Sequence, residues 1–153
     1  FRKYSELSST DGKIILGGKV LTGEGQQNGY YVEPTIVESL PSDHEIVLEE
    51  LFIPILTILE VNSIQEALTE ANSSEYGLTA GIFSEDQNEI QEFFNRIQAG
   101  VVYANRKMSA TTGANIGSQA FTGWKLSGST GKGAGGIYYL HQFLREQSQT
   151  IVK

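Results

Sequence analysis

The stretch Ile53-Pro-Ile-Leu-Thr-Ile-Leu-Glu-Val61 opens the part of the chain with the clearest pattern, residues 53–105. Such a near-continuous apolar run is typical of a strand that is buried on both faces of a parallel sheet. A helix is expected next, because Ser63 and Glu66 form a capping-box pattern ahead of apolar residues spaced i, i+3, i+4 and i+7. Those apolar residues are Ile64, Ala67, Leu68 and Ala71.

The same alternation then repeats along the chain. Residues 78–83 are predicted to form a second strand, Asp86 with Glu89 indicates the start of a second helix, and residues 101–104 are a third strand. The apolar face of that second helix consists of Ile90, Phe93, Phe94 and Ile97. A β-α-β-α-β order implies one parallel sheet covered by crossover helices, so the predicted fold class is α/β.

The segments on either side of this region are shorter or less regular. Two further strands are predicted at Lys13–Leu16 and at residues 32–37, with glycine-rich turns between them. Beyond Asn105 the chain is polar and glycine-rich up to Gly136, which is too long for an ordinary connection and more typical of a functional loop. Residues 142–152 are a candidate terminal strand.

Composition limits the possible functions. The 153 residues, 39% of them hydrophobic, suit one globular domain, and a formal net charge of −7 argues against binding to nucleic acid. The absence of cysteine excludes disulfides, Cys-ligated zinc and a thiol nucleophile within this chain. The longest apolar run is far below the ~20 residues that span a bilayer, so we expect a soluble protein that does not bind membranes. A cytoplasmic location is a separate expectation.

Two motifs favour structural interpretations. Gly131-Lys-Gly133-Ala-Gly-Gly136 satisfies the G-x-G-x-x-G pattern of dinucleotide-binding loops, but no apolar strand precedes it, so a turn before a short helix is predicted. Acidic residues surround His44, and with no second histidine nearby a solvated turn is favoured over a metal site. These acidic residues are Asp43, Glu45, Glu49 and Glu50.

The segment Ala110-Thr-Thr-Gly113-Ala-Asn-Ile-Gly117 follows the carboxyl end of the third strand, where α/β proteins bind ligands. Gly113 could present successive backbone N–H groups to an anion, with threonine hydroxyls beside them. The alternative is a loop that is merely rich in small residues. Both interpretations stay open on the residues alone.

Four segments, in this order and spacing, resemble the C-terminal part of the aldehyde dehydrogenase superfamily. They are Gly29-Tyr-Tyr-Val-Glu-Pro-Thr35, Glu49-Glu-Leu-Phe52-Ile-Pro54, Tyr76-Gly-Leu-Thr-Ala-Gly-Ile-Phe83 and Phe121-Thr-Gly-Trp-Lys-Leu-Ser-Gly128. Four more resemble the branch of that superfamily that oxidises glutamate γ-semialdehyde to glutamate. They are Ala110-Thr-Thr-Gly-Ala114, Gly117-Ser-Gln119, Gly128-Ser-Thr-Gly-Lys-Gly133 and Arg145-Glu-Gln-Ser148.

The resemblance implies that residues 1–153 are the C-terminal part of the catalytic domain of a longer, NAD-dependent enzyme of proline catabolism. In that family an upstream domain binds NAD and an upstream cysteine attacks the aldehyde. We therefore expect this chain to be inactive and not to bind NAD alone, and to need the N-terminal portion of the enzyme as its partner. The alternative is a non-catalytic assembly or binding module derived from such an enzyme.

The resemblance also assigns roles to individual residues. Glu50 would hydrogen-bond the ribose hydroxyls of the nicotinamide half of NAD, and Phe52 would pack beside the nicotinamide. Gly113 and Ala114 would hold the substrate carboxylate through backbone N–H groups, and Phe121 would pack on the substrate's aliphatic chain. The superfamily usually has other residues at three nearby positions, Ile53, Ala120 and Thr122. Residues 142–152 would contribute to contacts between subunits of a homo-oligomer.

Overall fold

The computed structural model describes residues 1–106, 119–130 and 132–153. The chain divides into two compact units, residues 1–74 and residues 75–153. Each unit has its own strands and helices. In the described ranges, no helix combines the length and the apolar character needed to cross a membrane.

The first unit is built on a three-stranded sheet in the order β1-β2-β3. Strand β2 runs antiparallel to β1 and parallel to β3, with Thr35 opposite Ile55 and Glu38 opposite Ile58. The elements of this unit are α1 (Arg2–Asp11), β1 (Lys13–Leu16), β2 (Thr35–Glu38), α2 (Glu45–Leu48), β3 (Ile55–Ile58) and α3 (Ile64–Ser73). The predicted strand at Lys13–Leu16 is confirmed, and the one at residues 32–37 is shifted towards its carboxyl end.

One core cluster of the first unit consists of Val37, Leu40 and Ile46, with partly buried apolar residues around them. Helix α1 contributes Tyr4 and Leu7 to this core. Sequence analysis missed α1, because most of its residues are polar and two apolar side chains spaced i, i+3 are a weak signal. The helix is held in place by packing against the sheet rather than by its own composition.

The predicted start of α3 is confirmed in detail. The Ser63 hydroxyl accepts a hydrogen bond from the Glu66 backbone N–H at 3.2 Å, as a capping residue should. The Glu66 carboxylate reaches one residue further back than in a standard capping box and accepts from the Asn62 backbone N–H at 2.7 Å. The first interaction satisfies an N–H group that the first turn of a helix leaves unpaired, and the second ties the residue before the cap to the helix.

Acidification is expected to weaken this helix start. Hydrogen bonds from Asn62, chiefly from its backbone N–H, hold the pKa of the Glu66 carboxyl below its ordinary value. A carboxyl with a lowered folded-state pKa stabilises the fold above its unfolded pKa, and this contribution is lost as the pH falls through the folded pKa. Below about pH 4, the urea midpoint of wild type should therefore fall more steeply than that of Glu66→Gln. Glu70→Gln, on the same helix, is the control, and identical profiles for Glu66→Gln and wild type would contradict this prediction.

The second unit contains two short sheets. Strands β5 and β6 pair in parallel, with Thr79 opposite Val101 and Ile82 opposite Ala104. Strands β4 and β7 form an antiparallel pair. The elements are β4 (Tyr76–Gly77), β5 (Thr79–Ile82), α4 (Gln87–Arg96), β6 (Val101–Ala104), β7 (Trp124–Lys125) and a 3-10 helix (Leu140–Phe143).

Helix α4 starts where the sequence predicted. The Asp86 carboxylate accepts from the Asn88 backbone N–H at 2.7 Å and caps the first turn. Ile90, Phe93 and Ile97 are buried, as the spacing predicted, whereas Phe94 remains 40% exposed. The buried face of the helix is therefore narrower by one residue than the apolar pattern indicated.

Two details of the predicted fold are wrong. The parallel pairing and the α/β class are confirmed, but β3 pairs with β2, whereas β5 pairs with β6 in a separate sheet. Side-chain periodicity identifies a strand, but it does not encode which backbone edge pairs with it. Residues 142–152, the predicted terminal strand, contain the end of the 3-10 helix and no strand. A strand needs a neighbouring edge for its N–H and C=O groups, and this segment has none within the described chain.

Candidate functional site

The turn between α2 and β3 carries Glu50 and Phe52. Helix α2 ends at Leu48, and the Glu49 backbone N–H donates to the Glu45 carbonyl at 2.9 Å. Leu51 packs against the core of the first unit. Its neighbours on either side are exposed, and the Phe52 side chain is 90% accessible to solvent. An inward-facing leucine thus leaves a carboxylate and an aromatic ring exposed two residues apart.

Phe52 also has an unusual backbone. Its φ of 53° lies in the left-handed region, which bulky residues rarely adopt. A hydrogen bond just after Phe52 holds the turn in place, because the Thr35 backbone N–H donates to the Pro54 carbonyl at 2.9 Å. Conformations of this kind persist only where the surrounding structure enforces them, and they are concentrated at ligand sites. A strained backbone that presents an exposed aromatic ring is therefore the strongest local sign of function in the first unit.

The Phe52 ring borders an open groove of about 870 Å³ within the first unit. The other walls are mainly apolar and include Tyr30, Val32 and Pro54, with Arg2 as a charged group at the side. Such a surface can stack against a flat ring, and the neighbouring Glu50 carboxylate can accept hydrogen bonds from hydroxyl groups. Sequence reasoning predicted roles for Glu50 and Phe52 but did not predict the groove, because its walls come from segments far apart in the chain.

Phe121 lies in the second unit. Its backbone N–H donates to the Ala134 carbonyl at 2.9 Å, and the two residues form an isolated antiparallel bridge. The side chain is half-buried. The structure thus places Glu50 and Phe52 together on one turn and Phe121 in the other unit. The predicted carboxylate-binding residues, Gly113 and Ala114, lie outside the described residues.

The glycine motif takes no dinucleotide-binding form in its described part, residues 132–136. Residues 133–136 form a turn in which the Gly136 N–H donates back to the Gly133 carbonyl at 3.1 Å. The Lys132 N–H is directed to the Thr130 hydroxyl at 3.3 Å. In the described residues before the motif, 126–130, there is no strand, and the element that follows is the 3-10 helix at Leu140–Phe143. The turn before a short helix that the sequence predicted is therefore confirmed for these residues.

His44 has a structural role. Its Nδ1 accepts from the Ile46 backbone N–H at 3.1 Å and caps α2, while its Nε2 lies 3.2 Å from Asp11 Oδ2. With Nδ1 acting as the acceptor, the ring proton is on Nε2 and is donated to Asp11. Among the described residues, no group of three or more acidic or histidine side chains is arranged to hold a metal ion.

A family model supplies the decisive comparison. The model described as "Aldehyde dehydrogenase family" matches residues 1–149, nearly the whole chain. The chain belongs to the aldehyde dehydrogenase family.

Relatives within this family share a name. The chain is 34% identical over 146 residues to a 1-pyrroline-5-carboxylate dehydrogenase of Staphylococcus aureus strain JH1, which covers 95% of the chain and 27% of that protein. A Thermus 1-pyrroline-5-carboxylate dehydrogenase solved with bound NAD is 38% identical, with a TM-score of 0.82 over 94% of the chain and 26% of that structure. The chain thus spans about a quarter of the length of these relatives.

A second solved enzyme of the family extends the likeness beyond this name. A point mutant of betaine aldehyde dehydrogenase of Staphylococcus aureus in complex with NAD has a TM-score of 0.80 and 27% identity over 93% of the chain and 28% of that structure. The fold is therefore shared across members that carry different names. The mixed α/β architecture with parallel strands is that of an aldehyde dehydrogenase domain.

The exposed turn fits only part of an NAD molecule. A flat apolar ring and a carboxylate suit the nicotinamide and its ribose, respectively. The described glycine motif does not suit the pyrophosphate, because the N–H groups of Lys132 and Gly136 are already bonded within the chain. These two N–H groups are therefore not available to a pyrophosphate.

Proposed function

We propose that this chain is the C-terminal portion of the catalytic domain of an NAD-dependent dehydrogenase that oxidises glutamate γ-semialdehyde to glutamate in proline catabolism. The observation that carries the proposal is the likeness, over 94–95% of the chain, to enzymes named 1-pyrroline-5-carboxylate dehydrogenase. The exposed pair Glu50 and Phe52 supports it, because a buried pair could not reach a cofactor.

Each proposed site residue has a defined task. The Glu50 carboxylate accepts hydrogen bonds from the ribose hydroxyls, and the Phe52 ring packs on one face of the nicotinamide. Gly113 and Ala114 hold the substrate carboxylate through backbone N–H groups, and Phe121 packs on the aliphatic part of the aldehyde. NAD, when bound, supplies the hydride acceptor. Because the chain has no cysteine, the thiol nucleophile of the family has to come from another part of the enzyme.

The proposal includes two kinds of partner. The first is the N-terminal portion of the same enzyme, which would supply the thiol and the rest of the NAD site. The second is another copy of the assembled enzyme, for which residues 142–152 provide contacts. Leu144, Ile151 and Val152 are strongly exposed apolar side chains of this tail, as expected for a segment that becomes buried between subunits.

Reconstitution tests the proposed activity. The chain is mixed with a separately expressed N-terminal portion of a related 1-pyrroline-5-carboxylate dehydrogenase, and NADH formation from glutamate γ-semialdehyde is followed. Activity is expected only in the mixture, with each part alone inactive. A mixture that forms a complex but no NADH contradicts the proposed reaction. Absence of both complex and activity favours a non-catalytic module.

A substitution at Glu50 tests the proposed cofactor contact. In the reconstituted enzyme, Glu50→Gln should raise the KM for NAD about tenfold, because a hydrogen bond to a charged acceptor is worth roughly 1.5–3 kcal/mol and an amide replaces it only in part. The KM for the aldehyde should stay unchanged. Glu49→Gln, at the neighbouring exposed glutamate, is the matched control. Equal effects of the two substitutions would assign Glu50 no specific contact with NAD.

A further inference from the structure

Phe121 is held in a backbone crossing that only a glycine permits. Its N–H donates to the Ala134 carbonyl at 2.9 Å, which brings the two segments side by side. Gly133 is the residue before Ala134. A methyl group added there would overlap the Phe121 carbonyl and lie 2.6 Å from the Thr122 backbone nitrogen. All of these atoms belong to the backbone, so no side-chain rotation could make room for the methyl group.

Space, rather than backbone conformation, requires the glycine at this position. Among the described glycines, left-handed backbone occurs at Gly17, Gly18, Gly25 and Gly135, and Gly133 is not one of them. A second glycine of the same motif approaches the same segment. A methyl group at Gly136 would lie 3.0 Å from the Ala120 Cβ, a closer approach than most such contacts. The described part of the motif therefore lies along residues 120–122 at backbone distance.

We propose that Gly133 is a positioning residue for Phe121. By letting the two backbones meet, Gly133 fixes where the Phe121 backbone runs, and with it the direction in which the ring is presented to the aliphatic part of the aldehyde. This inference rests on the proposed function, which gives Phe121 its contact with the substrate. The G-x-G-x-x-G pattern, which suggests a phosphate loop, thereby acquires a role in substrate specificity.

The reconstituted enzyme provides the first test. Gly133→Ala should raise the KM for glutamate γ-semialdehyde about tenfold or more, since small misplacements of positioning groups have effects of that size. The KM for NAD should change little. Gly136→Ala crowds its surroundings less, at 3.0 Å from both the Ala120 Cβ and the Gly133 carbonyl oxygen, and should raise the KM for the aldehyde about threefold. Lys132→Ala, which removes an exposed side chain next to Gly133, is the control and should leave it unchanged.

A double-mutant cycle separates positioning from general damage. If Gly133 acts through Phe121, then Gly133→Ala should have little further effect on the KM for the aldehyde once Phe121→Ala is present. Additive effects of the two substitutions would overturn the proposal. If Gly133→Ala prevents folding, the same cycle is run with Gly136→Ala, whose milder contact leaves the fold in place.

Amide exchange of the chain gives a readout that needs no activity. In the wild-type chain the Phe121 amide should be protected by its bond to Ala134, and Gly133→Ala or Gly136→Ala should reduce this protection. The Ile97 amide, which donates to Phe93 in α4 at 2.9 Å, should stay protected as a check on folding. Unchanged exchange and chemical shift of the Phe121 amide in both variants would overturn the proposal. An inactive wild-type mixture would contradict only the proposed function.

Discussion

Leu68→Ala is expected to lower the free energy of unfolding of the first unit by about 3 kcal/mol. Leu68 is 2% exposed, on the face of α3 that the sequence pattern predicted to be buried. The substitution deletes three buried carbons and leaves a cavity that a packed interior fills only in part, so the loss exceeds the transfer free energy of the side chain. In a unit of 74 residues this is a large share of the whole stability.

Urea unfolding followed by circular dichroism, together with amide exchange of α3, measures this effect. Leu56→Ala is the matched control, because it makes the same chemical change on β3 at a side chain that is 58% exposed. The control should cost less than about 1 kcal/mol, since most of that side chain already contacts water. Equal losses for the two variants would mean that Leu68 is not a core residue.

Gly100→Ala is expected to destabilise the second unit by about 3 kcal/mol or more, at the upper end of overpacking effects. A methyl group at Gly100 would overlap the carbonyl of Thr122 and lie 2.9 Å from the Gly123 Cα. The Gly100 N–H also donates to the Gly77 carbonyl at 3.0 Å, at the start of β6. Because backbone surrounds the site, relief requires moving a hydrogen-bonded segment.

Trp124 reports this change directly. It is the only tryptophan of the chain, and it lies in β7 next to Gly123. Its emission should shift towards that of an exposed indole at lower urea concentration in Gly100→Ala than in wild type. Gly23→Ala is the control, because the methyl group there meets only the flexible end of Gln26, at 3.0 Å. An unchanged Trp124 transition in Gly100→Ala would show that the Thr122 segment moves to accommodate the methyl group without a loss of stability.

The elements with strong local signals were predictable. Helices α3 and α4 begin at Ser63 and Asp86, where a capping side chain precedes an amphipathic run, and both capping bonds are present. Strand β1 was predicted with its observed ends. These features depend on residues that are close together in the chain, so the local sequence is sufficient to predict them.

Features that depend on distant segments were missed. Helix α1 owes its place to Tyr4 and Leu7 packing on a core built from later strands. The two-residue strands β4 and β7 exist because residues 76–77 and 124–125 meet. The contact between His44 and Asp11 also joins residues that are far apart in sequence, whereas the capping bond of His44 to Ile46 is local.

For the site, the chain order alone placed Glu50 and Phe52 on one turn, and the motif resemblance assigned their tasks. The tertiary structure decided that Leu51 faces inward and that the Phe52 ring, on a strained backbone, borders a groove walled by Tyr30 and Val32. It also decided that Gly133 packs against the backbone of Phe121 rather than facing a site open to a phosphate. Side-chain spacing determines local helices and strands, whereas which backbones meet depends on packing the whole chain, and no single segment contains that information.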